Sequence, residues 1–192
     1  MTPDKLFERW YIVPLQMLRT ISNGDGGFVA LATAMFLYER YANARIKQLG
    51  KSAKPEELHK QFASDFVVEE EVAKVFWKVM RDGILHLGMP MQKEGGKELP
   101  PWIFHNDFRQ AVELCKIDGE QLLKVQTWLI VDKVISLWQN NLGLIAKNES
   151  FPWANILSME SARDLGIVSD EKDDFHMPTG SSSVLNMLTN SE

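Results

Sequence analysis

Residues 69–89 read EEEVAKVFWKVMRDGILHLGM, and the spacing within this stretch decides the fold class. Val72, Val75, Phe76, Val79, Met80 and Ile84 recur at steps of three and four residues, which makes one core-facing stripe of a helix. The opening run Glu69 to Glu71 suits the unpaired N–H groups at a helix N-terminus. Gly83 weakens the last turn, and Gly88 with Pro90 stops the helix. Lys74, Lys78 and Arg81 fall on another face. Arg81, Asp82 and His86 therefore stand where a helix gives way to a loop.

Those three side chains carry the candidate chemistry. Asp82 and His86 are four apart and hence neighbours on a helical face, so the carboxylate can hold one imidazole nitrogen while the other moves a proton. Arg81 precedes His86 by five residues, about 140° round a straight helix of 3.6 residues per turn. Either Gly83 bends the turn or a second subunit completes the site. An imidazole titrating near neutrality beside a guanidinium suits RNA cleavage: the ring deprotonates the 2′-hydroxyl or protonates the leaving oxygen, and arginine stabilises charge on the phosphate.

The segment Arg81-Asp82-Gly83-Ile84-Leu85-His86 resembles the signature of the HEPN superfamily, an arginine with a polar neighbour and a histidine a few positions on, late in a helix. The wording FWKVMRDGILH is similar to that of many bacterial proteins of this kind. The resemblance covers the architecture of residues 1–142 and, in chemistry, the one hexapeptide. It implies a small helical bundle that dimerises to bring two motifs together and acts as a metal-independent endoribonuclease in defence, toxin–antitoxin or stress systems, with an antitoxin or defence-system protein as a further partner. Charge alone also accounts for the trio, since cations favour a helix C-terminus. The competing expectation is a catalytically inactive helical interaction or regulatory module.

Outward from this stretch, the chain reads as mainly α, an up-and-down bundle of four to five core helices with a small extended insertion. Pro3–Ile21 is the first predicted helix, capped by Thr2 and kinked at Pro14. Ser22 to Gly27 is a turn. A glycine-rich loop before a helix can cradle an anion, but no strand precedes it and no lysine follows at P-loop spacing. Phe28–Leu49 is the second helix, with Phe28, Leu31, Ala32, Met35, Ala42, Ile46 and Leu49 in one stripe. Glu39 falls within that stripe and needs a partner, because a lone buried carboxylate costs several kcal/mol. Arg81 is the candidate partner, which makes Glu39 a supporting residue of the site; an ordinary structural ion pair is the alternative.

A shorter helix starts at Pro55, with Leu58, Phe62 and Phe66 on one face and His59 off it, in solvent. Residues 89–117 hold Pro90, Gly95-Gly96 and Pro100-Pro101, so they form an insertion: a hairpin at Lys93 to Glu98 and short extended pieces at Trp102 to Phe104 and Ala111 to Ile117. The insertion is expected over the motif helix. Asp118 is the predicted cap of a long helix, Gly119–Leu142, apolar round most of its circumference and hence either central or at a dimer interface. Residues 1–150 make the bundle and 151–192 a strap and flexible tail. Phe151-Pro152-Trp153 anchors the strap, Ile156–Leu165 forms a short helix, and Val184 to Leu188 docks as a last turn.

Composition narrows the classes. A chain of 192 residues fits one domain and buries roughly 70% of its unfolded surface. Cys115 is the one cysteine, which excludes an intrachain disulfide and points to a reducing, cytoplasmic setting. No apolar run has membrane-spanning length. The net charge of −5 argues against a dedicated nucleic-acid binder. A ribonuclease would need a local cationic patch, for which Lys47, Lys51, Lys54, Lys60, Lys74, Lys78 and Arg81 are the candidates, Lys74 and Lys78 nearest the motif. His59, His86, His105 and His176 are scattered, and no metal or cofactor is expected. His105 is a weaker proton-transfer candidate, and Cys115 has no recognisable base.

Overall fold

The computed structural model describes residues 2–147 and Phe151. α1 (Pro3–Phe7) runs through a π-helical segment, Glu8–Ile12, into α2 (Val13–Leu18) without leaving the helical region. The chain meets Pro14 by widening its register just beforehand, since proline offers no N–H and its ring crowds the carbonyl four residues back. α3 (Gly26–Gln48) is the central helix, with Leu31, Ala34, Met35, Leu37, Tyr38 and Ala42 fully buried.

α4 (Pro55–Phe66) ends on Val67 in the left-handed conformation, φ 55°. α5 (Glu70–Phe76), a second π-helical segment (Trp77–Asp82) and α6 (Gly83–Leu87) then form one continuous helix, closed by Gly88 at φ 74°. An aromatic cluster binds α3, α4 and this helix together. Phe62 stacks on Phe66 at 4.2 Å and on Phe76 at 4.9 Å, and Tyr38 meets Phe62 edge-on at 5.2 Å. Such pairs contribute roughly 0.5–1.5 kcal/mol each beyond area burial. These rings form a packed floor beneath the motif.

The insertion contains the expected hairpin, β1 (Lys93–Glu94) against β2 (Lys97–Glu98). A three-stranded sheet follows, in the order β3-β5-β4, from β3 (Trp102–Phe104), β4 (Val112–Ile117) and β5 (Glu120–Val125). β3 is parallel to β5 and β4 antiparallel to it. The predicted helix over Gly119–Leu142 is therefore corrected: its first part is strand β5. Asp118 caps no helix but sits at φ 52°, with Gly119 at φ 87°, in the two-residue turn between Ile117 and Glu120. An Asp-Gly pair accepts positive φ at both positions and fits the twist of a hairpin. In β5 only Leu123 and Val125 are buried, the alternation of a half-buried strand. The insertion thus extends to Val125, beyond the predicted limit at residue 117.

Gln126 caps α7 (Thr127–Gln139), its side chain accepting from the Leu129 N–H at 2.8 Å. α7 packs along α3, where the Trp138 Nε1–H donates to the Leu37 carbonyl at 3.1 Å. Ile130, Val131, Val134 and Trp138 are buried within this one chain, so the apolar circumference of the helix is largely consumed by its own core. α8 (Leu142–Ile145) follows. Phe151, 3% exposed, packs on Trp138 at 5.0 Å and Phe7 at 5.7 Å. The expectations for Pro152, Trp153, Ile156–Leu165, His176 and the tail lie outside the described residues. Among the described residues, no helix is long and apolar enough to cross a membrane.

Candidate active site

Arg81 occupies the π-helical segment, and that segment answers the spacing problem posed by its position. A straight α-helix places residues five apart on different sides, whereas a register of i to i+5 brings them back toward one side. Arg81 Nη1 lies 3.3 Å from His86 Nε2. Arginine only donates, so this contact is a hydrogen bond when His86 is neutral with its proton on Nδ1. The pair is formed within a single protomer.

Gly83 makes the local path possible. A Cβ there would stand 2.2 Å from the Met91 amide nitrogen and 2.7 Å from the Met89 carbonyl oxygen. With no side chain in the way, the Met91 N–H donates to the Val79 carbonyl at 2.7 Å, while the Gly83 amide turns to Met80. The start of the insertion is thus bonded to the π segment. Lys78 adds a second tie, an ion pair with Glu94 in β1.

Glu39 reaches across from α3. Its carboxylate takes Arg81 Nε at 3.2 Å and pairs closely with Nη2. Asp82 accepts from Arg81 Nη1 at 2.8 Å and lies 3.5 Å from Lys78 Nζ. The guanidinium also stands over the Trp77 ring, 5.7 Å from its centroid. Partial burial opposes the Arg81 charge, and the hydrogen bonds it donates to Asp82 and Glu39 more than offset this, so its pKa moves further up. The Glu94 pair likewise raises that of Lys78.

The sequence nominated Glu39, Arg81, Asp82 and His86 for one site, and all four line the cleft, with one difference from the expected contacts. Asp82 grips Arg81 and Lys78, and no Asp82–His86 hydrogen bond is present among the described residues. The side chain that fixes the imidazole is Arg81.

These residues line an open cleft of about 660 Å³. Trp77, Lys74 and Lys78 share its wall with them. So does His59, contrary to the expectation that it points into solvent: it is half-buried and meets Trp77 edge-on at 6.0 Å. Burial, followed by the Lys74 charge, holds its pKa below the ordinary 6.5, against the opposing pull of Asp82, Glu56 and Glu70. Only Leu58, Phe62 and Phe66 marked the inner face of α4 in sequence. The one available signal for His59 was its position beside Leu58 at the edge of that stripe.

Of the predicted cationic patch, Lys74, Lys78 and Arg81 come together on the cleft wall, and its lysines are largely paired with carboxylates. Lys51 and Lys60 pair with Glu57, Lys74 with Glu71, and Lys78 with Asp82 and Glu94. Lys47 lines a different cavity, with Arg40 and Lys147. His105 stands apart, 3.6 Å from Asp107. Cys115 sits in β4, its Sγ 3.7 Å from the Leu122 carbonyl. Among the described residues, no group of three or more His, Cys, Asp or Glu is placed to hold a metal ion.

Comparison of the chain with protein families, curated proteins and solved structures finds no match. The residues of the cleft therefore carry the functional argument alone.

Proposed function

We propose that this protein is a metal-independent endoribonuclease of the HEPN type, working as a homodimer in a bacterial defence, toxin–antitoxin or stress system. The observation that carries the reading is the 3.3 Å approach of Arg81 Nη1 to His86 Nε2 on the wall of an open cleft. A phosphodiester seated there has a proton-transfer group and a fixed positive charge within reach of one phosphate. His86 takes the 2′-hydroxyl proton, the 2′-oxygen attacks phosphorus, and the bond to the 5′-oxygen breaks. The leaving oxygen recovers a proton from imidazolium or water. Arg81 steadies the charge that builds on the phosphate oxygens. Glu39 and Asp82 hold the guanidinium in place, and Lys74 and Lys78 meet the RNA backbone.

The products would carry a 2′,3′-cyclic phosphate and a 5′-hydroxyl. The test is cleavage of a short RNA, unmodified or with a 2′-O-methyl at the scissile position, analysed by mass spectrometry of the ends. The reading expects cyclic-phosphate ends from the first and an intact second. Products bearing 5′-phosphates would overturn it.

One observation favours a second reading. Arg81 is already hydrogen-bonded by both Glu39 and Asp82, the arrangement of a structural ion pair, and this suits an inactive helical interaction module. An absence of cleavage of any RNA pool, together with stable complex formation in size-exclusion with a candidate partner protein, would select it.

A further inference from the structure

A second cavity, about 640 Å³, opens where α3 and α7 both begin. By the helical rise it lies roughly 20 Å along α3 from Glu39. The two helices run side by side in the same direction. Thr127 Cγ2 would lie 3.9 Å from a Cβ placed on Gly27, and further along Trp138 donates to the Leu37 carbonyl. Their N-termini, each equivalent to roughly half a positive charge, therefore add at one place.

Gln126 takes one amide of α7, that of Leu129, and leaves the rest of this positive end open to a ligand. No side chain caps α3, and the Leu18 carbonyl abuts Gly26. Thr127 gives an independent pointer. It is 6% exposed and lines the cavity, and its hydroxyl makes no hydrogen bond among the described residues. The oxygen is not sealed into the core either, so it opens to the cavity. A largely buried side chain whose hydroxyl faces only the cavity can donate to an acceptor on a ligand.

The walls are aromatic. Trp102 and Phe104 stand 5.0 Å apart on β3, and Phe28 and Trp128 complete the lining. Asp25 and Asp107 are also part of it. Their carboxylates repel a bare anion but accept hydrogen bonds from an amino group, which selects a ligand with both features. A planar ring bearing an amino group, joined to a phosphate, has that chemistry.

We propose that this cavity binds a nucleoside monophosphate, free or as one residue of an RNA strand, with its phosphate at the paired N-termini and the Thr127 hydroxyl and its base against Trp102 and Phe104. The site is independent of the ribonuclease reading and stands or falls without it.

The experiment titrates the full chain with AMP, UMP, adenosine, inorganic phosphate and a short oligoadenylate, followed by calorimetry and amide chemical shifts. AMP should bind saturably, moving the Gly27, Phe28 and Thr127 amides most. UMP, adenosine and inorganic phosphate should each bind more weakly. Thr127→Val keeps the shape of the side chain and should weaken AMP about fivefold to tenfold, the effect of one hydrogen bond. Trp102→Leu should weaken it by a similar factor. Tighter binding of the oligoadenylate than of AMP assigns the site to an RNA strand; equal or weaker binding assigns it to the free nucleotide. No saturable binding of AMP or oligoadenylate, shifts confined to the Arg81 cleft, or wild-type affinity in both variants would overturn the proposal.

Discussion

Arg81 has three kinds of neighbour in the cleft: two carboxylates, an indole face and an imidazole. The carboxylates decide where the guanidinium points, and the guanidinium decides where the imidazole sits. Glu39→Gln keeps the shape but removes the charge that Arg81 meets. Losing one charge-assisted interaction at a partly buried site should lower stability by about 1–3 kcal/mol in urea unfolding and also reduce RNA cleavage. Unchanged stability would show that Glu39 does not hold Arg81. His59 supplies a pH prediction. Its folded pKa is depressed below 6.5, chiefly by burial, so the unfolded chain binds more protons in the window below that value. Stability from this group is present above pH 6.5 and is lost as pH falls through the lowered folded pKa. Thermal scans should therefore show a smaller drop on acidification in His59→Phe than in the parent chain. An identical drop in both would remove the assignment. At this scale the sequence was informative about Glu39, because an acidic residue inside an apolar stripe has to be paired, and uninformative about His59, because a histidine at the edge of a stripe can face either way.

The motif helix works as an element because its register changes in the middle. Periodicity alone placed the apolar stripe of Val75, Phe76, Val79 and Met80 correctly, and no feature of it distinguished a π segment from an α one. Gly83 was the visible clue, although what it permits is a backbone contact from residues 89–91 and not a bend. Gly83→Ala should force those backbones apart, costing about 1–3 kcal/mol or more and breaking the Met91–Val79 hydrogen bond. Urea midpoints and hydrogen exchange at Met91 measure both effects, and a variant as stable as the parent with Met91 still protected would contradict this account. The miss at Gly119–Leu142 has a different cause. The density of leucine and valine there fits a helix on any face, while the Asp118-Gly119 pair, the stronger short-range signal, specified a hairpin turn. Helix and buried strand are alike in composition, and only the turn residues separate them.

For the molecule as a whole, mainly α architecture was legible, since three of its helical stretches carry clear stripes. The small sheet was half legible, with β3 and β4 expected and β5 hidden. α7 was open to two readings, central or at an interface, and its burial against α3 places it in the core of this chain. A homodimer, which belongs to the proposed function, must then use other surface. Leu87 and Met89 are exposed apolar side chains close to His86 in sequence, at 65% and 57%. Light scattering should give twice the mass of one chain, and Leu87→Lys should return it to a monomer with reduced cleavage. A parent protein that is monomeric at micromolar concentration yet fully active would contradict the dimer.

The claim on which the rest depends is that Arg81 and His86 cleave RNA without a metal ion. It is tested most directly by incubating purified protein with a labelled RNA pool in EDTA, beside His86→Ala at matched concentration and thermal stability. His86 is exposed, so its truncation should leave the fold intact. The account predicts cleavage by the parent protein and a loss of roughly a hundredfold or more in the variant, the usual worth of a proton-transfer group. Cleavage by His86→Ala at the parent rate, or none by the parent protein unless a divalent cation is added, would contradict it.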